Sequence, residues 1–281
     1  MIVKTIGEIL KASTLFLQER NIERPRRMAE ELVAKASSLK RIDLYLQYDR
    51  LVEEKEIAPL REWIRRLSQG EPLEYILGVV EFYGCKIAVD RRVLIPRPET
   101  EILVDHIASL IKKEAQIVWD LCTGSGCIGI ALKKRFPHLS VSISDQSRDA
   151  LDVARHNAKL NEVEVEIFEG DLLAPFRGKK ADVIVVNPPY ISMKEYFTLQ
   201  KSVRDFEPKL ALVGGERGGE FYERLRETLP LYLKAGAQVF MEIGYNQGQE
   251  VKALFSASIW SKREIVRDWA GKDRFFFLEK Q

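Results

Sequence analysis

The sequence predicts an α/β protein: a mostly parallel sheet of seven strands with an antiparallel edge pair, preceded by a small helical bundle and a β-hairpin linker. Three observations carry this. Beyond Ile117, short apolar β-type runs alternate with amphipathic segments, the pattern of a parallel sheet with crossover helices. Within Asp182–Tyr190, four consecutive apolar residues, Val183 to Val186, precede Asn187 and the prolines Pro188 and Pro189. That reads as a strand buried on both faces and stopped at its carboxyl end. The first 70 residues instead repeat apolar positions at helical spacing.

In chain order, Ile6, Ile9, Leu10 and Leu17 share one helical face. Met28, Leu32, Ala36 and Leu39 share a second, and Ile57, Leu60, Ile64 and Leu67 a third; Pro25 suits a first helical turn. Residues 1–70 are read as a helical substrate-docking domain, since they hold no catalytic constellation. Arg24, Arg26, Arg27, Arg61, Arg65 and Arg66 there read first as a solvated face and second as a partner surface. Gln69-Gly70-Glu71-Pro72 breaks the helical pattern, and runs at Tyr75–Val80 and Lys86–Val89 around Tyr83-Gly84 suggest a hairpin in a linker of residues 71–93.

Residues 94–281 form the sheet domain. They open with Leu94–Glu101, a connector stiffened by Pro96 and Pro98, which reads either as an interdomain linker with a helix start or as a charged loop, with Arg97 and Glu99, carried across the mouth of a site. Strands are expected at Ile117–Leu121, Val141–Ser144, Val165–Phe168, Val183–Val186, Gln238–Ile243, Glu264–Asp268 and Arg274–Leu278. Helices are expected from Ile102, at Ser125–Arg135, Arg148–Leu160, Phe221–Lys234 and Gln249–Ser256. The loop from Ile191 to Gly219 is expected to close over a substrate and to move when none is bound.

Composition narrows the function. The chain has 281 residues, 46% of them hydrophobic, enough for one large and one small core. Its 44 Lys and Arg against 42 Asp and Glu, a net charge of +2, argue against a protein that lives on a phosphate backbone. Cys85, Cys122 and Cys127 lack metal or disulfide spacing and read as reduced thiols, so a soluble cytoplasmic protein without a structural metal is expected. Met1–Glu8 has no apolar signal core, and no apolar run is long enough to span a membrane.

Two stretches carry chemistry. The first strand ends Asp120-Leu121-Cys122-Thr123-Gly124-Ser125-Gly126, whose glycines bring backbone and a helix N-terminus against a ligand. Gly124, Gly126 and Gly129 also match the dinucleotide fingerprint, which alone leaves NAD and S-adenosylmethionine (AdoMet) open. Asp120 just before the glycines would repel a pyrophosphate but welcome a sulfonium or ammonium, which favours AdoMet. Asp145 is placed for the ribose hydroxyls, and Asp171 reads first as a contact for the adenine amine and second as a helix or turn cap. The second stretch is Asn187-Pro188-Pro189-Tyr190. The Asn187 side-chain oxygen and the Pro188 carbonyl can accept from an NH2 group while Tyr190 stacks on its plane, an arrangement suited to methylating a planar nitrogen. No general base is required before transfer. Such acceptors would reject the isosteric carboxylate.

The sequence resembles the peptide chain release factor glutamine N5-methyltransferases (the PrmC/HemK family) over nearly its whole length. The resemblance lies in Gly70-x-Pro72-x-x-Tyr75-Ile76-x-Gly78, Val93–Glu101, Asp120–Gly126, Asn187–Tyr190, Phe206-Glu207-Pro208, Glu242-Ile243-Gly244 and Asp268-x-Ala270-Gly271-x-Asp273-Arg274. It implies a Rossmann-like methyltransferase sheet and methyl transfer from AdoMet to the glutamine of the Gly-Gly-Gln loop of release factors. It also implies that Cys122, Thr123, Gly124, Ser125 and Gly126 cradle the donor, that Asp145 holds the ribose, and that Asp171 and Leu172 line the adenine pocket. Asn187 would touch donor and substrate, with Pro188, Pro189, Tyr190, Arg97 and Glu99 on the substrate side. Many AdoMet enzymes carry glycine where Cys122 stands. Asn-Pro-Pro-Tyr is shared with adenine-N6 and guanine-N2 methyltransferases, so a nucleic-acid amino methyltransferase is the alternative; the connector and the helical domain favour a protein substrate. A nicotinamide-dependent oxidoreductase would leave Asn187–Tyr190 unexplained. A non-catalytic binding module would be indifferent to Asn187.

Overall fold

The computed structural model describes residues 4–281 and resolves into two compact units, one ending at Gly78 and one running from Val79 to Gln281. Residues 1–3, part of the expected N-terminal domain, lie outside the described residues. The first unit contains β1 (Lys4–Thr5), α1 (Ile6–Gln18), α2 (Pro25–Ala36), α3 (Arg41–Leu46), β2 (Leu51–Val52), α4 (Glu54–Ser68) and α5 (Leu73–Leu77). Thr5 and Glu8 form a reciprocal cap on α1, each side chain accepting from the other's backbone N–H, which satisfies two donors the helix end leaves free. Pro25 is the first residue of α2, where its missing N–H costs nothing. Ile6, Leu10, Leu17, Leu32 and Leu44 are fully buried at the centre, with Met28, Ile57 and Ile64 packed around them. Arg26 pairs with Glu30, Arg61 with Glu54, Arg65 with Glu62 and Arg66 with Glu71, so four of the six arginines face carboxylates of their own unit.

The second unit starts with the hairpin β3 (Val79–Phe82) and β4 (Cys85–Ala88), followed by α6 (Pro98–Leu110). The sheet then builds as β5 (Ile117–Leu121), α7 (Cys127–Arg135), β6 (Ser140–Asp145), α8 (Arg148–Leu160), β7 (Glu166–Glu169) and β8 (Ala181–Val186). Short elements follow: β9 (Ile191–Ser192), α9 (Met193–Tyr196), α10 (Lys201–Arg204), α11 (Lys209–Leu212) and β10 (Val213–Gly215). The chain closes with α12 (Glu220–Tyr232), β11 (Leu233–Glu242), α13 (Gly248–Leu254), β12 (Trp260–Arg267) and β13 (Asp273–Lys280).

The seven-stranded sheet has the order β12-β13-β11-β8-β5-β6-β7. Its strands are parallel from β11 to β7, and β13 runs antiparallel to both β11 and β12. From β5 the chain moves outward to β7, then crosses back to add β8 on the other side of β5. The carboxyl ends of β5 and β8 therefore flank the crevice where open α/β sheets bind ligands. One face of the sheet packs Leu121, Ile184, Val186, Val239 and Met241 against Tyr222, Leu225 and Leu229 of α12. At the opposite ends of the strands, Asp182 accepts from the backbone N–H of Gln116 and Ile117 and from Lys234 Nζ, which stitches β5, β8 and β11 together.

The structure departs from the sequence reading in several places. Tyr75–Val80 is not one strand: Leu73–Leu77 makes a helical turn ended by Gly78 at φ +76°, and only Val79 begins the hairpin. The hairpin belongs to the second unit, where Asn157 of α8 and Asn161, which caps that helix, each exchange two hydrogen bonds with the backbone of Ala88 and Lys86 respectively. Helix α7 begins at Cys127, since Gly124 and Gly126 ahead of it both take positive φ. The segment from Ile191 to Gly219 is not a bare loop: β9 and β10 pair within it and α9 to α11 fill it.

Candidate active site

The loop after β5 is built around Asp120. This carboxylate is fully buried; its Oδ2 accepts from Thr123 Oγ1 at 2.5 Å and from the Gly129 N–H at 2.9 Å, while Oδ1 has no partner among the described residues. It therefore clamps both ends of the glycine turn from beneath and is not part of the cleft lining, in contrast to the ligand-facing position expected from the sequence. Burial is the first cause that pushes its pKa up, to about 7. The three glycines divide the work. Gly124 at φ +53° has open space where a Cβ would stand, on the cleft side. A Cβ on Gly126 would press Ile130 and Ala154, and one on Gly129 would lie 2.4 Å from Ile143 Cγ2. Cys122 sits at φ +54°, the left-handed region that glycine occupies at no cost. Burial pushes the Cys122 thiol well up and that of Cys127 to about 12, so neither is a ready thiolate.

Above this turn a concave cleft opens, lined by the glycine turn, the ends of the neighbouring strands and the proline connector. Cys122, Thr123, Gly124 and Ser125 line it from β5 and Asp145 from β6; Asp171, Leu172, Asn187, Pro189 and Arg97 complete the expected set found there. Asp145 accepts from the N–H groups of Gly124 at 2.9 Å and Ser147 at 2.9 Å, which fixes its carboxylate in place. A carboxylate has about four lone-pair positions, so it keeps acceptors for a diol. Asp171 is paired with Arg224 of α12. Gly126, Pro188, Tyr190 and Glu99 do not line the cleft; Glu99 lies in the first turn of α6.

Asn187 leaves β8 directly at the cleft, and its Nδ2 donates to Glu242 Oε2 at 3.0 Å. The same oxygen accepts from Thr100 Oγ1 at 2.8 Å, and Oε1 faces the Tyr190 hydroxyl at 3.4 Å. Glu242 ends β11, is buried, and its pKa is pushed up to about 7 by that burial, which Thr100 and Arg274 oppose. Burial likewise raises the Tyr190 phenol. Neither Glu242 nor Thr100 carries a role in the sequence reading. The available signal was the polar residue ending an otherwise apolar strand, Val239-Phe240-Met241-Glu242, as Asn187 does on β8. Glu207 was also missed: it is buried, accepts from the Ile95 N–H at 3.1 Å and pairs with Arg97 at 2.5 Å. It thereby ties the segment after Ile191 to the proline connector.

Comparisons with known proteins agree with this architecture. Residues 98–214 match the methyltransferase small domain family and residues 8–78 the PrmC N-terminal domain family. The chain is 40% identical over 278 residues to the release factor glutamine methyltransferase of Chlamydia trachomatis serovar L2, covering 98% of this chain and 94% of that protein. It is 37% identical to the enzyme of the same name from Geobacter sulfurreducens, over 96% of this chain and 95% of that one. A methyltransferase crystal structure from Pyrococcus furiosus superposes with a TM-score of 0.53 at 17% identity, covering 70% of this chain and 89% of that one, a likeness of fold. The chain belongs to the release factor glutamine methyltransferase family.

Proposed function

We propose that this protein transfers a methyl group from AdoMet to the side-chain amide nitrogen of the glutamine in the Gly-Gly-Gln motif of peptide chain release factors, and so acts on translation termination. The observation that carries the reading is the setting of Asn187, whose Nδ2 is engaged by Glu242 while its Oδ1 stays available at the cleft beside the glycine turn. The residues fit the donor. The cleft offers Asp145 for two hydroxyls, a glycine turn open at Gly124, and walls from Asp171 and Leu172. Bound there, AdoMet supplies an electrophilic methyl on a cationic sulfur.

The protein's share is orientation. Asn187 Oδ1 accepts from the amide NH2 group at the cleft, and the Pro188 carbonyl, outside the cleft lining, is the second acceptor only for a glutamine that enters past Asn187; the two fix the plane of the acceptor and turn its nitrogen to the donor. Tyr190 stands behind the cleft lining with its hydroxyl turned toward Glu242, and so backs the Asn187 setting. Release factors dock on the helical unit as well as at the cleft, and nucleic acid is not the methyl acceptor. Peptides ending the test are simple: a Gly-Gly-Gln loop peptide and its Gly-Gly-Glu counterpart are incubated with labelled AdoMet. Label on the first alone supports the reading. Equal label on both, or label only on RNA or DNA offered in parallel, contradicts it.

A further inference from the structure

We propose that Glu242 is a positioning residue for methyl transfer, setting which end of the Asn187 carboxamide faces the substrate. The inference rests on the glutamine reading above for its catalytic consequence, but the contact itself does not. An ionised carboxylate has only acceptors, so the Asn187 group 3.0 Å from it must be Nδ2. Oδ1 lies at the other end of the same planar group, and among the described residues no donor reaches it. It is the end left for the amide hydrogens of an incoming glutamine. A protonated Glu242 has a hydrogen to give and can be served by Oδ1 instead. Asn187 would then turn its NH2 to the cleft, donor against donor, and the site would lose its preference for an amide.

Several groups around Glu242 favour the ionised form. Thr100 Oγ1 donates from α6, the Tyr190 hydroxyl faces it from the segment after β8, and Arg274 of β13 supplies positive charge. Arg274 is itself held by Asp268 at 3.3 Å. Against these stand burial and the charge of Glu99 in the first turn of α6. Tyr222 of α12 donates to the Glu242 backbone carbonyl and fixes the end of the strand. The two opposing sets place the ionisation of Glu242 within a working pH range, which makes it observable.

The experiment has two arms. In the first, kcat at saturating AdoMet and release factor is measured from pH 5.5 to 8.5 for the wild type and Glu242→Gln. The wild type should lose activity on the acid side. Glu242→Gln, whose amide can face Asn187 either way at every pH, should lower the kcat plateau roughly 10- to 100-fold, remove that acid limb, and leave KM within about threefold. In the second arm, selective 15N labelling follows the Asn187 side-chain NH2 signal of the wild type, assigned by its loss in Asn187→Ala. It should shift across the same pH interval and stay fixed in Glu242→Gln. An Asn187 signal insensitive to pH, or a Glu242→Gln enzyme with wild-type kcat and an unchanged acid limb, overturns the proposal. A wild type that methylates no glutamine overturns the functional reading instead, and the labelled amide still decides the Glu242–Asn187 contact.

Discussion

Gly129→Ala tests whether the glycine turn is shaped by packing, because two effects of opposite sign meet there. Gly129 lies within α7, where alanine is favoured by about 1 kcal/mol on helix propensity alone. Its Cβ would stand 2.4 Å from Ile143 Cγ2 and 3.1 Å from Asp120 Oδ2, while relaxed carbon contacts lie near ~3.5–4 Å. Ile143 and Asp120 sit on β6 and β5 in the middle of the sheet and are buried, so α7 must give way by about 1 Å. Overpacking of that kind costs about 1–3 kcal/mol. The shift also stretches the 2.9 Å bond from the Gly129 N–H to Asp120, and bonds to charged groups contribute about 1.5–3 kcal/mol. Against the propensity gain, a net loss of about 2 kcal/mol is expected, or a fall in Tm of roughly 4–8 °C for a unit of this size. Scanning calorimetry of the wild type, Gly129→Ala, Ile143→Ala and the double variant reads it. Ile143→Ala removes the clashing methyl, so the double variant should be more stable than the sum of the singles predicts by at least about 1 kcal/mol. A higher Tm for Gly129→Ala, as helix propensity alone dictates, would refute the packing argument.

Two further predictions concern the buried carboxylates. Glu207→Ala strands the Ile95 N–H and unpairs Arg97, which is only a third exposed. The expected cost is about 3 kcal/mol, with faster tryptic cleavage at Lys194, Lys201, Arg204 and Lys209; unchanged cleavage would mean the segment is anchored elsewhere. For Asp120, the folded pKa is raised, so its favourable contribution is complete below the unfolded value of 3.8 and is lost as pH rises through about 7. The rise from 3.8 to about 7 corresponds to roughly 4 kcal/mol. Denaturant unfolding of Asp120→Asn against wild type should therefore show the variant gaining relative stability from about pH 4 to pH 7 and then levelling, and a pH-independent difference would contradict the assignment.

Much of the fold was legible because local signals and tertiary packing agree. Helix α8 runs from Arg148 to Leu160 as its pattern predicts: Ser147 caps it and one face carries Ala150, Leu151, Val153, Ala154 and Asn157 into the core. The strand of Val183–Val186 is fully buried as its unbroken apolar run requires. The errors have equally local causes. Tyr75 and Ile76 look like strand residues, yet a single helical turn with Gly78 at positive φ satisfies them. β11 starts at Leu233 and not at Gln238; its pairing with β8 changes register between these two residues, a stretch in which Gly236 takes φ +71°. Helices of four residues such as α9 and α10 are too short to show a period.

The site was legible as a list of residues and less so as a set of contacts. The glycines, Asp145 and Asn187 stand out by type and by their position at strand ends. Glu242 meets Asn187 across 55 positions and Thr100 across 142, and Glu207 meets Ile95 across 112. Such pairs leave no mark in a local pattern, so the sequence named Asn187 without what aims it. Asp120 was read toward the ligand for its charge, but its neighbours on the chain, Thr123 and Gly129, draw the carboxylate beneath the turn.

The central claim is that Asn187 presents an acceptor to a release-factor glutamine beside bound AdoMet. Its most direct test is tandem mass spectrometry of purified release factor after incubation with AdoMet and either the wild type or Asn187→Ala. One methyl group on the Gly-Gly-Gln glutamine with the wild type, lost with Asn187→Ala although that variant still binds S-adenosylhomocysteine, is the predicted result. An unmodified glutamine with the wild type, or equal methylation by both proteins, would contradict it.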